Sequence, residues 1–165
     1  MRVVALADTH LTPRSARGLS SRALAHLAEA DVIIHAGDVV DGEVLDGLSA
    51  LAPVHAVLGN NDVALRGRLP EVLELELGGV AVAVIHDSGP SAGRERRLKR
   101  RFPDAGLVVF GHSHIPLLAE GLDGQRLCNP GSPTRRRAQP HHTLAVLELE
   151  AGAIRGAEIV VVDDP

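Results

Sequence analysis

The sequence predicts a mixed α/β domain with helices layered outside its sheets. Residues 2–58 alternate short apolar runs with helix-periodic segments, residues 71–85 alternate strictly in polarity around a Gly-Gly pair, and the last third reads as strands joined by turns.

The elements follow in order. RVVALA (2–7) has the continuous apolar pattern of a buried strand, and SSRALAHLAEA (20–30) is a helix capped by Ser20 with Leu24, Leu27 and Ala28 on one face. DVIIHA (31–36) is a second strand. GEVLDGLSAL (42–51) puts Val44, Leu45, Leu48 and Leu51 at helical spacing, and PVHAVL (53–58) is a third strand. In EVLELEL (71–77), Leu73, Leu75 and Leu77 share one face and Glu74 and Glu76 the other; Gly78-Gly79 turns the chain into VAVAVI (80–85) as a hairpin. RERRLKRR (94–101) is a third helix, capped by Ser91, and GLVVF (106–110) is another buried strand. HTLAVLELE (142–150) and AIRGAEIVVV (153–162) complete the strands. No repeat or linker divides the chain, so residues 1–165 are expected to form one domain.

Composition narrows the function. Hydrophobic residues make up 45% of the chain, with two Phe and no Tyr or Trp, so the core must be aliphatic and stacking platforms for bases are nearly absent. Together with a net charge of −4, this argues against a nucleic-acid partner. Cys128 is the one cysteine, which excludes an intrachain disulfide or a Cys-rich zinc site; it reads as a small buried hydrophobe and suits a reducing cytoplasm. No apolar run reaches a signal-peptide core or the roughly 18 residues of a membrane span. A soluble cytoplasmic protein without a membrane partner is expected. The aliphatic edge AVLELE is able to pair with a second copy as a homo-oligomer, though nothing requires it.

The chemistry concentrates in five loops, each following an apolar strand. ADTH supplies Asp8 and His10; HAGD supplies Asp38; LGNND supplies Asn60, Asn61 and Asp62; VIHD supplies His86; FGHSH supplies His112 and His114. Loops at the carboxyl ends of parallel strands converge on one rim. Two carboxylates, an amide oxygen and four imidazoles exceed the needs of one tetrahedral ion. They suit a pair of ions about 3.5–4 Å apart. Glycines 37, 59 and 111 stand immediately before donors, where the backbone is expected to turn sharply.

The ordered set D-x-H, GD, GN-x-D, H and GH-x-H, met by Asp8/His10, Gly37-Asp38, Gly59-Asn60-Asn61-Asp62, His86 and Gly111-His112-Ser113-His114, resembles the calcineurin-like metallophosphoesterases. The nearest likeness is to their small single-domain phosphodiesterase group, which also includes the retromer's scaffold subunit. The resemblance covers essentially the whole chain, including NPGS (129–132). It implies a four-layer α/β/β/α sandwich of two mixed β-sheets. It further implies one ion held by Asp8, His10, Asp38 and His114, and a second by Asp38, Asn60, His86 and His112, with Asp38 bridging. The expected activity is hydrolysis of a small phosphoester, foremost a phosphodiester, by in-line attack of a metal-bridging hydroxide, with Asn60, Asn61 and Asp62 as the catalytic set: Asn60 hydrogen-bonds the phosphate, and Asp62 orients Asn61 or a nearby loop. Mixed oxygen and imidazole ligands suit Mn²⁺, Fe²⁺, Zn²⁺ or Ni²⁺, and the resemblance favours Mn²⁺. A binding scaffold without catalysis, or a phosphomonoesterase or nuclease on the same site, are the alternatives.

Two positions depart from the family pattern. Larger members place His where this chain has Asn61, and the small phosphodiesterases often have Cys; an amide donates a hydrogen bond but delivers no proton at neutral pH. Asp87 follows His86 where glycine is common, and is expected either to support a ligand or to repel phosphate. Outside the motif, the Arg94–Arg101 run is either a solvated helix face or a basic rim for phosphate. His35 reads as a satisfied near-site or core histidine and His26 as a helix-surface residue; His141-His142 and Arg135 to Arg137 read as solvated loop residues, with substrate or metal binding by the histidines and phosphate contact by the arginines as the alternatives. Pro130-Gly131 specifies a type II turn.

Overall fold

In the computed structural model, which describes residues 1–12, 15 and 18–163, the apolar runs become strands of two five-stranded sheets. In the first, β1 (Arg2–Leu6), β2 (Val32–His35) and β3 (Val54–Ala56) are parallel. β9 (Thr143–Glu150) and β10 (Ala153–Val161) extend that sheet antiparallel beyond β1. In the second, β4 (Val72–Leu77) and β5 (Val80–Ile85) form the expected hairpin. There β5, β6 (Leu107–Val109) and β8 (Arg126–Asn129) run parallel, and β7 (Leu117–Glu120) closes the edge against β8.

The two faces of each strand explain the layering. Val3, Ala5, Ile34, Val82, Val84, Leu107, Val109 and Leu147 meet between the sheets. The alternate residues Val4, Leu6 and Ile33 pack under α1 (Ser21–Ala28) and α2 (Gly42–Ser49), through Ala23, Leu27 and Leu48. Ala83, Ile85, Val108 and Phe110 pack under α3 (Arg94–Arg101), through Leu98. A strand buried on both faces has no polar positions to alternate, which is why these runs read as continuously apolar. The result is the α/β/β/α sandwich of two mixed sheets that the resemblance implied.

Three local expectations need correction. Ser20 does cap α1, accepting from the Ala23 amide at 3.0 Å, but the buried stripe is Ala23 and Leu27; Leu24 is 45% exposed and Ala28 is exposed too. With only eight residues, α1 buries a stripe two residues wide, and positions one place on rotate into solvent. For the same reason Leu51, beyond the end of α2, is exposed while Leu45 and Leu48 are buried. The N-cap of α3 is Gly93 at φ 69°, not Ser91, whose carbonyl instead accepts from the Arg94 amide at 3.2 Å. The chain must reverse there through a left-handed residue, which glycine adopts without strain.

Candidate metal centre

The parallel strands of both sheets deliver their carboxyl ends to one rim. Beyond β1 and β2 the chains stay paired, the Asp8 amide donating to Gly37 O and the His10 amide to Asp38 O, each at 2.9 Å. The glycines act mainly through close approach. A Cβ on Gly59 would lie 2.1 Å from the Asp38 amide nitrogen, and one on Gly111 would lie 2.8 Å from Ala7 Cβ; of the three, only Gly37 has positive φ, at 87°. The sharp turns fall on the donors themselves. Asp8 (φ 56°), His10 (46°), Asp38 (57°), His112 (67°) and His114 (59°) are all left-handed. Strain of this kind clusters where surrounding structure must aim side chains at a shared point.

The aim is convergent. His10 Nε2 stands 3.3 Å from His114 Nε2, and His114 Nε2 stands 3.5 Å from Asp8 Oδ1. Asp38 Oδ2 lies between two imidazoles, 3.5 Å from His10 Nε2 and 3.6 Å from His86 Nε2. Asn60 Oδ1 is 3.0 Å from both His86 Nε2 and His112 Nδ1. Two groups of donors able to hold a cation emerge, Asp8 with His10 and His114, and Asp8 with Asp38 and His86. All seven sequence-predicted ligands therefore meet at one place.

Tautomers sharpen the picture. His86 Nδ1 is 2.8 Å from the Ala36 carbonyl, and His114 Nδ1 contacts the Arg135 carbonyl. A carbonyl only accepts, so each Nδ1 carries the proton and each Nε2 turns its lone pair into the site. The lone pairs of His86 and His114 thus face into the cluster, and the buried Asp8 Oδ2 has no hydrogen-bond partner. Cations are partners that satisfy such groups.

Around this set, side chains act on the ligands rather than on the site. Asn61 donates twice to Asp38, backbone to Oδ1 at 2.8 Å and Nδ2 to Oδ2 at 2.7 Å. Asp62 is buried and accepts from the amides of Asp38 (3.0 Å), Val40 (2.6 Å) and Gly59 (2.7 Å). Both its oxygens are engaged by backbone, so it orients the Asp38 and Gly59 turns. Two further anchors lie in the NPGS stretch that the resemblance included, and a third, Thr134, which sequence reasoning missed, follows it. Asn129 Nδ2 donates to Gly111 O at 2.9 Å, Ser132 Oγ to Asp8 O at 2.8 Å, and Thr134 Oγ1 to Thr9 O at 2.6 Å. Gly131 takes the positive φ expected of it, 74°, and its amide donates to Asn129 Oδ1 at 2.9 Å. The available signal was a polar stretch directly after Leu127 and Cys128 of β8.

The other histidines separate from the cage. His35 is fully buried, with Nε2 3.1 Å from Thr9 Oγ1 but Nδ1 unpartnered, so it is near-site yet not fully satisfied. His26 Nδ1 is 3.2 Å from Arg2 Nη2, and His55 lies half-buried in β3. His141 and His142 each hold Asp163 at 2.7 Å. Asp87 is exposed, and its Oδ1 accepts from the Gly89 amide at 2.7 Å, closing its own turn rather than supporting a ligand. It lines a cavity of about 360 Å³ together with Asn60, His86, Arg66 and Arg101. In α3, Arg97 Nε donates to Ser88 O at 2.8 Å and Lys99 Nζ to Pro103 O at 2.8 Å, so the basic run also staples neighbouring loops. Cys128 is buried as expected, and burial pushes its thiol up to about 12.

Burial, with the Asp38 charge beside it, pushes the Asp8 carboxyl up to about 8. Burial would raise Asp38 as well, but the two Asn61 hydrogen bonds, with His86 and His10, outweigh it and hold Asp38 below the ordinary carboxylate range. Burial lowers His10, brings His114 down to about 4 and brings His35 down to about 3. These shifts set a stability profile. For the histidines the unfolded chain binds protons more tightly, so stability falls as pH drops from about 6.5 toward 4. For Asp8 the folded chain binds its proton more tightly. Its contribution is full below the unfolded value of 3.8 and is lost as pH rises through about 8. Between 4 and 6.5 the three histidines outweigh Asp8. Chelator-treated protein should therefore melt highest near pH 6.5 and lower on either side. Melting curves across pH 4–9 check this, and a profile still rising between pH 7 and 8 would contradict the assignment of Asp8.

Two mixed sheets with helices outside, and a cage of carboxylate, amide and imidazole donors at the parallel strand ends, define an α/β protein with a candidate metal centre. Residues 1–152 match the calcineurin-like phosphoesterase superfamily domain, and the chain belongs to that superfamily of metal-dependent enzymes. It is 35% identical over 153 residues to a probable metallophosphoesterase of Methanocaldococcus jannaschii, covering 91% of this chain and 77% of that protein. It is 32% identical over 158 residues to the probable metallophosphoesterase YsnB of Bacillus subtilis, covering 93% and 87%. Its fold is similar to that of wild-type Vps29 from Entamoeba histolytica complexed with Zn²⁺. The TM-score is 0.76 at 22% identity, with 99% of this chain and 100% of that one covered. No helix among the described residues is long and apolar enough to cross a membrane.

Proposed function

We propose that this chain is a phosphodiesterase that works with two divalent transition-metal ions, Mn²⁺ foremost and Fe²⁺, Zn²⁺ or Ni²⁺ as alternatives. Asp8, His10, Asp38 and His114 would hold one ion, and Asp38, Asn60, His86 and His112 the other. The observation that carries this is Asp38 Oδ2, set 3.5 and 3.6 Å from imidazole nitrogens of both groups, as a shared ligand must be. When bound, the pair would supply a water of lowered pKa and would neutralise the phosphate oxygens.

The chain's own residues shape the rest. Ala36 and Arg135 carbonyls hold His86 and His114 in the tautomer that presents Nε2. Asn61 and Asp62 hold the carboxylate and backbone of Asp38. Because the Asn61 amide is committed to Asp38, no side chain at position 61 is free to protonate a leaving oxygen. That favours esters whose leaving groups depart readily, and weighs against alkyl monoesters. The lack of aromatic stacking platforms weighs against a nuclease. A partner-binding scaffold on the same fold is tested alongside. Metal analysis of purified protein, with a panel of aryl mono- and diesters at each metal, separates these. Two equivalents of metal with diester turnover above monoester is expected; metal without turnover on any ester would favour the scaffold.

A further inference from the structure

We propose that His35 is a positioning residue of the metal centre, setting the Asp8-Thr9-His10 turn through its contact with the Thr9 side chain. The proposal rests on the two-ion reading above and concerns how the ligands of the first ion are aimed.

Thr9 stands between two ligands that both take the left-handed backbone, Asp8 at φ 56° and His10 at φ 46°. That conformation is unfavourable for residues with a side chain, so the turn needs support from its surroundings. Backbone pairing supplies part of it, the Asp8 and His10 amides donating to Gly37 O and Asp38 O. Thr134 Oγ1 donates to Thr9 O at 2.6 Å. The remaining contact joins two side chains: Thr9 Oγ1 lies 3.1 Å from His35 Nε2. Both residues are fully buried, where a hydrogen bond is strong and directional. His35 is itself held firmly. It ends β2, paired with Leu6 of β1 on one side and Ala56 of β3 on the other, and its carbonyl accepts from the Val57 amide at 3.1 Å. The next carbonyl, of Ala36, holds His86. The end of β2 therefore reaches both donor groups, one through Thr9 and the other through His86.

The second ring nitrogen separates this role from a purely structural one. His35 Nδ1 is buried without a hydrogen-bond partner among the described residues. If Nε2 donates to the Thr9 hydroxyl, Nδ1 is an unmet acceptor; if the hydroxyl donates to Nε2, Nδ1 is an unmet donor. Either tautomer leaves a polar nitrogen unsatisfied in the core, which lowers stability. An apolar side chain at this position would avoid that penalty. The imidazole is therefore a burden on the fold, and what its one engaged nitrogen touches is the residue between two ligands.

The test titrates full-length, chelator-stripped protein with Mn²⁺ by calorimetry and follows the melting of the same metal-free samples. Thr9→Val keeps the side-chain shape and removes the hydroxyl; His35→Leu removes the imidazole. Each should weaken Mn²⁺ binding about tenfold, the lower end of the range for groups that orient ligands. Both changes delete one bond, so the double variant should bind no more weakly than the singles. Thr9→Ser should restore affinity, and His35→Gln, whose amide reaches toward the place of Nε2, should restore part of it. Melting distinguishes aiming from support. Each single change strands a polar group, whereas the double variant strands neither, so it should melt at or above the parent while still binding Mn²⁺ weakly. Unchanged Mn²⁺ affinity in both single variants overturns the positioning role, as do losses that multiply in the double variant. Two bound ions without turnover of any ester would leave that role standing and remove the phosphodiesterase reading. A wild-type chain that binds no Mn²⁺ would remove both.

Discussion

Exchange of Asp38 for asparagine is expected to lower metal-stimulated cleavage of an aryl phosphodiester by about a thousandfold or more, as losing a principal electrostatic element of an active site does. The substitution keeps the size of the side chain and an oxygen for the Asn61 amide, which Asp38 Oδ1 accepts at 2.8 Å. It removes the negative charge from the one carboxylate within 4 Å of imidazoles in both donor groups, among the described residues. Metal content should fall below two equivalents. Stability should fall as well. Asn61, His86 and His10 hold Asp38 charged below the ordinary carboxylate range, and the substituted amide sets a donor against one of the two Asn61 donors, so the metal-free variant should melt lower than the parent. Full activity with two bound ions in Asp38→Asn would remove the shared-ligand assignment.

Much of this architecture was legible because its causes are local. Strands buried on both faces have no choice but continuous apolar runs, and RVVALA, DVIIHA and VAVAVI say so directly. The donors were legible because each stands immediately after such a run, so finding the strands also located the site. What escaped depends on partners far apart in sequence. The anchoring role of Asn129 needs β8 to lie parallel to β6, which brings the Gly111 carbonyl within 2.9 Å. The orphaned Nδ1 of His35 appears only once β1 and β2 pair and the rim closes over it. Glycines before the donors suggested that glycine would carry the turns, whereas steric closeness fixes Gly59 and Gly111 and the donors take the left-handed backbone. Leu24 and Leu51 show the opposite limit, since helical spacing alone does not say which way a two-turn helix faces.

Asp62→Ala is expected to be the most destabilising single change at the site. Its carboxylate accepts three backbone amides, from Asp38, Val40 and Gly59, and the side chain is buried. Alanine leaves all three donors without that partner. At about 1–3 kcal/mol for each amide left unsatisfied, and allowing for partial relaxation, the loss should be roughly 3–5 kcal/mol. For a chain of this size that is a fall of roughly 10 °C or more in melting temperature. The same change releases Asp38 from its left-handed turn, φ 57°, so metal affinity should weaken roughly 10- to 100-fold, as when a group that orients a ligand is lost. Asp62→Asn keeps a single oxygen and should fall between the two. Raising the Mn²⁺ concentration at a temperature where Asp62→Ala is still folded should restore most of its turnover. A group that touches the reacting atoms behaves differently, because saturating metal cannot replace it. Normal melting with turnover still lost at saturating Mn²⁺ would give Asp62 a direct part in the reaction and overturn its orienting role.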